Sequence, residues 1–189
     1  METAETARWE RYLGFRCTGC GNCCKGTHVM ITDADVRRIT DGTGHQAQDF
    51  VRFVDEDDVE MTTSSPWWIR FDRGRALMTL RWKVGSKCVF LQPDERCGIY
   101  EHRPHVCRAH PFTVTLSETG ALEKLSMSRV VRCPAEWDGH QSRREIIHLD
   151  RWGTRESDVF LAKVKTWNRD RSRRRVPNGF LRHLGLLSD

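Results

Sequence analysis

The sequence predicts an α+β domain: a small antiparallel sheet of hairpins with flanking helices, cross-linked by a cysteine-ligated metal site. Three observations predict it. Trp67, Ile69 and Phe71 alternate with Trp68 and Arg70, and Met78, Leu80 and Trp82 alternate with Thr79, Arg81 and Lys83; Asp72-Arg73-Gly74-Arg75 makes the turn between the two strands. Val159, Phe160, Val164 and Trp167 recur at helical spacing. Four of the eight cysteines fall in one run, Cys17-Thr18-Gly19-Cys20-Gly21-Asn22-Cys23-Cys24.

The elements follow in order. Residues 5–13 read as a short helix with Trp9, Tyr12 and Leu13 on one face. After the cysteine run, His28 to Ile31 reads as a short strand. Thr32-x-x-Asp35 resembles a capping box and opens a helix through about Thr40, which Gly42 and Gly44 stop. Residues 45–54 add a further helical turn or two before the acidic run Asp55-Glu56-Asp57-Asp58. Beyond the hairpin, Cys88 to Leu91 continues as strand, and Gln92 to Glu95 turns the chain back to Cys97. Glu101 to Cys107 forms one or two helical turns, with Pro104 tolerated near the start. Phe112 to Leu116 and Leu122 to Val131 make a second hairpin through Ser117 to Gly120. From Glu156 the pattern is helical, and Gly179 with the tail Phe180-Leu181-x-x-Leu184-x-Leu186-Leu187 closes the chain. Most of the seven tryptophans are expected in the core, although Trp67 and Trp68 cannot share one sheet face.

At 189 residues the chain suits one domain: a cysteine-cluster metal-binding domain over 1–140 and a basic helical appendage, 141–189, packed on it. No stretch approaches a membrane span. The first sixteen residues lack the apolar core of a secretory signal, so a reducing cytosol is expected, where eight cysteines bind metal rather than form four disulfides. The net charge of +5 is unevenly spread. Residues 163–182 carry eight Lys and Arg against Asp170 alone, so the rest of the chain sums to −2. That stretch suits an acidic partner; no nucleic-acid-binding motif accompanies it, and nucleic acid is not expected.

Soft thiolates two residues apart close onto a metal at little entropic cost. Cys17-x2-Cys20-x2-Cys23 opens like a bacterial ferredoxin ligand run but lacks its fourth cysteine and proline. Adjacent side chains diverge in an extended chain. One ion therefore needs a sharp turn to collect both Cys23 and Cys24, whereas a multi-metal cluster or two neighbouring sites takes them more easily. Cys88, Cys97, Cys107 and Cys133 each sit beside a cation in sequence: Lys87, Arg96, Arg108 and Arg132. Nearby positive charge lowers a thiol's pKa and offsets the charge of a thiolate site. His105 and His110 flank Cys107 and, with His28, are read first as packed histidines rather than ligands. Tyr100, Arg103 and Arg108 are candidates to anchor the ligand loop or to bind a substrate anion.

The blocks Cys17-x2-Cys20-x2-Cys23-Cys24, then Cys88-x-Phe90-Leu91, then Cys97-x-Ile99-Tyr100-x-x-Arg103-Pro104-x-x-Cys107-Arg108-x-x-Pro111 resemble the YkgJ-type cysteine-cluster family. Cys133 fits a further cysteine common there. The resemblance spans residues 15–133. It implies zinc or iron chelation by these cysteines and a relation to the flagellin lysine N-methylases, in which an iron–sulfur cluster is associated with methyl transfer. Two features depart from it: His110 replaces an aromatic or apolar residue before Pro111, and the methylases are much longer chains. No Gly-rich nucleotide or SAM loop follows a predicted strand. Two inventories use the cysteines: two four-sulfur zinc sites, or one [4Fe–4S] cluster with four thiols to spare. The resemblance and the ferredoxin-like spacing favour iron–sulfur. The function expected is a metal-chelating protein that supports protein modification such as lysine methyl transfer. The alternative is a structural zinc module that recruits an acidic partner, or less readily nucleic acid, through its basic C-terminal helix.

Overall fold

A 27-residue helix, α4 (Arg143–Arg169), is the spine of the molecule. At 1.5 Å per residue it runs about 40 Å, long enough to serve two cores. The computed structural model describes residues 9–128, 131–172 and 174–188. Ser142 starts α4 with a capping box: its hydroxyl accepts from Glu145 N–H, and the Glu145 carboxylate accepts from Ser142 N–H at 3.0 Å. The helix therefore begins well before Glu156, where the apolar spacing placed it. Its buried residues are Ile146, Gly153, Phe160, Val164 and Trp167, whereas Val159 is 52% exposed and off the stripe.

The larger core joins the second half of α4 to a three-stranded antiparallel sheet in the order β1-β3-β2, with β1 Val51–Asp55, β2 Ile69–Phe71 and β3 Gly74–Leu80. The hairpin expected around Asp72 to Arg75 is β2–β3, and β3 sends Ala76, Leu77, Met78 and Leu80 inward. Helix α1 (Asp33–Thr43) is capped by Thr32 and Asp35 as expected, runs through Gly42 and ends at Gly44. It buries Val36 and Ile39 in the same core. Helix α2 (Ala47–Phe50) passes directly into β1, so the second half of residues 45–54 is strand rather than helix. Helix α5 (Pro177–His183) closes the core with Phe180 and Leu181. Trp167 is almost fully buried and its indole N–H donates to Arg70 O at 2.9 Å. Burying a side chain of this size contributes about 2–3 kcal/mol.

The smaller core lies under the first half of α4, where Ile146 meets Leu122 and Leu125 of the hairpin β6 (Phe112–Leu116)–β7 (Leu122–Met127) and Trp9. Trp9 opens a 3₁₀ turn at Glu10–Gly14; the helix expected from residue 5 begins outside the described residues. Strand β7 ends at Met127, short of the Val131 expected; Ser128 and Val131 lie outside it, and residues 129–130 are outside the described residues.

Three further expectations change. Among the described residues there are three small antiparallel sheets, not one, since β4 (Trp82–Lys83) pairs only with β5 (Lys87–Cys88) and β6 pairs only with β7. His28 to Ile31 forms no strand. It runs along β3 with one bridge, Met30 to Thr79, and Ile31 N–H donates to Met78 O at 3.1 Å. The basic run is not one helix: α4 ends at Arg169 and α5 starts at Pro177, with Arg171, Arg174 and Arg175 in the connection.

Candidate metal centre

The cysteine run is a loop that coils twice. Gly19 and Gly21 take left-handed φ of 68° and 69°, and Asn22–Cys24 forms a single 3₁₀ turn. That turn brings adjacent cysteines together: the Cys23 and Cys24 thiols are hydrogen-bonded to one another. Gly21 is pressed against the turn that leads to Cys97. A Cβ there would lie 2.5 Å from Glu95 O and 3.1 Å from Leu91 Cδ1. Lys25 pairs with Glu95 across the same seam. On the other side, Asn22 Nδ2 donates to Arg132 O at 3.0 Å and Thr18 Oγ1 donates to Pro134 O at 3.1 Å, which brings Cys133 alongside.

Three cysteines share one local geometry. Gly19 N–H donates to Cys17 Sγ at 3.4 Å, Phe90 N–H donates to Cys88 and Ile99 N–H donates to Cys97. In each case the donor lies two residues beyond the sulfur, so the chain wraps an N–H dipole onto an atom that gains charge when it loses its proton. Cys88 ends β5, Cys97 bridges Leu91, and Cys107 lies on α3 (His105–Ala109), capped by Pro104 after a 3₁₀ turn at Tyr100–His102.

The sulfurs form a connected string. Cys24 is hydrogen-bonded to both Cys23 and Cys88. The bond from Cys24 lowers Cys23 to about 6, against burial that opposes it, with help from the Cys23 N–H and Arg103. The same donor lowers Cys88 to about 7, helped by Phe90 N–H and Lys83. The bonds to Cys23 and Cys88, together with burial, push Cys24 up. Burial pushes Cys107 far up, and the thiols of Cys23, Cys88 and Cys97 add to it. Burial also raises Cys97 and Cys133; Cys88 and Cys23 add to the first, and Cys20, Cys17 and Cys23 to the second. Cys23 thus stands between two neighbourhoods, one with Cys17, Cys20 and Cys133 and one with Cys24, Cys88, Cys97 and Cys107.

The cations that act on these thiols are Arg103, on Cys23 and Cys97, and Lys83, on Cys88. Three cations adjacent to cysteines in the chain are engaged elsewhere. Arg16 pairs with Glu136 and Asp138, Lys25 pairs with Glu95, and Arg108 donates to Arg103 O at 3.0 Å and to Glu101 O. The Arg103 guanidinium lies 3.6 Å over the Tyr100 ring and donates to Tyr100 O at 2.9 Å. Tyr100, Arg103 and Arg108 therefore brace one another along the 100–108 loop.

Asp35 is the buried post on which α3 rests. Its carboxylate accepts from Thr32 N–H, from Arg38 at 2.7 Å and from His105 N–H at 2.9 Å; the His105 ring Nδ1 stands 3.4 Å away. Arg38 extends the link to Glu156 at 2.5 Å and lies over Trp152 of α4. Burial alone would raise Asp35, but the His105 and Thr32 contacts prevail and hold it at about 2. Asp35, His105 and Glu156 present oxygen and nitrogen atoms within 4.8 Å of one another. Arg38 already neutralises both carboxylates, so this is an ion-pair network rather than a cation site. His28 stacks on Trp82 at 3.8 Å, and His110 lies apart from the string, in a cleft behind α3. The sequence marked Asp35 as a helix cap. Its contact with His105, seventy residues on, has no local signal.

Eight thiols in one string suit a metal by donor chemistry. Burial, and next to it the charge of neighbouring thiolates, keeps several protonated, and a bound cation would offset that charge and take up the thiolates. Among the described residues no helix is long and apolar enough to cross a membrane. No curated protein and no solved structure matches the chain significantly. A family model described as "Putative zinc- or iron-chelating domain" matches residues 16–134, a span that takes in all eight cysteines. On that match, and with the cysteines gathered as the geometry has them, the chain belongs to the CxxCxxCC family of zinc- or iron-chelating domains.

Proposed function

We propose that the chain holds an iron–sulfur cluster, with ligands drawn from Cys17, Cys20, Cys23, Cys24, Cys88, Cys97, Cys107 and Cys133. The observation that carries this reading is the spread of the sulfurs. Four thiolates on one tetrahedral zinc stand about 3.8 Å apart, given Zn–S bonds of about 2.3 Å. Among the described residues no three cysteine sulfurs lie within 4.8 Å of one another. A cluster shares its thiolates among several irons and so accepts wider spacing. Tyr100, Arg103 and Arg108 then serve as the brace of the centre, with Arg103 offsetting thiolate charge. Protein modification such as lysine methyl transfer is the activity this reading carries forward.

Metal and sulfide analysis with a visible spectrum, on protein purified without oxygen, tests it. Iron with matching sulfide and a broad band near about 400 nm is the expected result, and SAM binding is the assay that follows. Zinc without a visible band sinks the iron–sulfur reading and favours the second one, a structural zinc module with an acidic partner. One observation favours that second reading. Asp72 N–H donates to Arg175 O and Arg175 N–H donates to the Asp72 carboxylate, which brings the β2–β3 turn beside the α4–α5 connection, where Arg70, Arg73, Arg171 and Arg174 are all exposed.

A further inference from the structure

Behind α3, on the side away from the cysteine string, lies a cleft of about 410 Å³. That volume is in the range of small-molecule sites. Its walls are α3, β6 and the first half of α4. Gly153 lets α3 and α4 meet closely: a Cβ there would lie 2.6 Å from His105 Cδ2. Beside that contact the two elements part. His105, Val106, Arg108 and Ala109 line the cleft and Cys107 does not, so the metal centre and the cleft share one short helix as a party wall.

The lining is apolar with few polar groups. Phe15, Phe112 and Ile146 supply the body. His110 Nε2 is buried without a hydrogen-bond partner, and buried ring nitrogens are normally bonded. Asp150 is half-buried on α4, facing the same cleft, and among the described residues makes no ion pair or hydrogen bond; Asp158 lies two turns on, exposed at the rim. The one arginine in the lining, Arg108, has its guanidinium on the carbonyls of Glu101 and Arg103. The cation nearest Asp150 in the chain, Arg151, acts on it from a distance, but its guanidinium donates to Gly120 O at 3.1 Å and forms no ion pair with the carboxylate. Burial raises Asp150, outweighing the lowering by Arg151, and burial lowers His110, each the mark of a group removed from water without full compensation.

We propose that this cleft binds a small organic ammonium ion, its N–H donors meeting the Asp150 carboxylate and its apolar body lying between Phe112 and Ile146. An anion of the same shape meets two carboxylates, and a neutral analogue leaves Asp150 uncompensated, so the site selects by charge. The site does not depend on which metal the cysteines hold.

Isothermal titration of the full chain with 2-phenylethylammonium, 2-phenylethanol and 3-phenylpropanoate tests the proposal. Saturable binding of the ammonium ion is expected, at least about tenfold tighter than the alcohol, with no binding of the carboxylate, since a charge-assisted hydrogen bond is worth about 1.5–3 kcal/mol. Asp150→Asn should weaken the ammonium ion by about the same factor, and Ser157→Trp, which fills the cleft from the surface of α4, should abolish binding. Circular dichroism melts of both variants establish that they are folded. No binding of the ammonium ion to the wild-type chain overturns the proposal. So does equal binding of ammonium and alcohol, or an affinity unchanged in folded Asp150→Asn and Ser157→Trp.

Discussion

Cys24 is bonded to both Cys23 and Cys88, so replacing it alters two neighbours at once. Cys24→Ser keeps a hydroxyl donor but offers a poor ligand for soft metals. Metal content by elemental analysis is expected to fall by half or more, while the far-ultraviolet dichroism stays unchanged. Asp35 acts at the same scale through charge. Asp35→Asn breaks a buried ion pair and is expected to cost about 3 kcal/mol, read as a lower denaturation midpoint. The carboxyl titrates at about 2 in the folded chain, below its ordinary 3.8. A depressed carboxylate stabilises the fold fully above its unfolded value and loses that contribution as pH falls through the folded one. The gap between wild type and Asp35→Asn is therefore expected to be widest above about pH 4 and to shrink toward pH 2, by about 2 kcal/mol. A gap constant over pH 2–5 would count against the hub.

Two glycines of the cysteine loop separate backbone strain from packing. Gly19 and Gly21 share nearly the same left-handed φ, but a Cβ at Gly19 meets nothing within 4 Å, whereas at Gly21 it strikes Glu95 O. Gly19→Ala is expected to cost about 1–2 kcal/mol, and Gly21→Ala more, with lost metal, because the seam between the 17–24 loop and the 91–97 turn must open. Thermal melts paired with metal analysis check both. At this scale much of the structure was legible. The Thr32–Asp35 cap, the β2–β3 turn and the β6–β7 hairpin each rest on neighbours in sequence. The start of α4 was legible too, in Ser142-x-x-Glu145, but the apolar spacing drew the reading to Glu156. Strand β1 was not legible, because Val51 to Val54 follows a helical turn without a break and is fixed only by pairing with β3. Nor did the sequence show which cations serve the thiols. Lys83 and Arg103 reach them through the fold, while the adjacent Arg16, Lys25 and Arg108 turn elsewhere.

Across the whole molecule, the larger core contains Cys88 and packs Cys24 and Cys97 at its edge, but most of it is Ile, Val, Leu, Phe and Trp. Removal of metal by chelator is therefore expected to lower the melting temperature while α4 and the β1–β3–β2 sheet stay folded. Hydrogen exchange should then show fast exchange confined to residues 17–24, 88–107 and 132–136. Global unfolding on metal loss would show instead that the centre is the main source of stability. Helix α4 gives this scale its meaning. It supplies Ile146 to one core and Phe160, Val164 and Trp167 to the other, and its Glu156 anchors the Arg38–Asp35 link to the helix that carries Cys107.

That placement also sets a clock. Every cysteine precedes α4 in the chain, and Cys133 leaves the ribosome thirty-six residues before Arg169. At synthesis rates of about 5–20 residues per second, the thiols stand exposed for roughly 2 to 7 s before the helix that completes both cores is available. Metal delivery thus has a window during translation, when the ligands are assembled in order but not yet walled in.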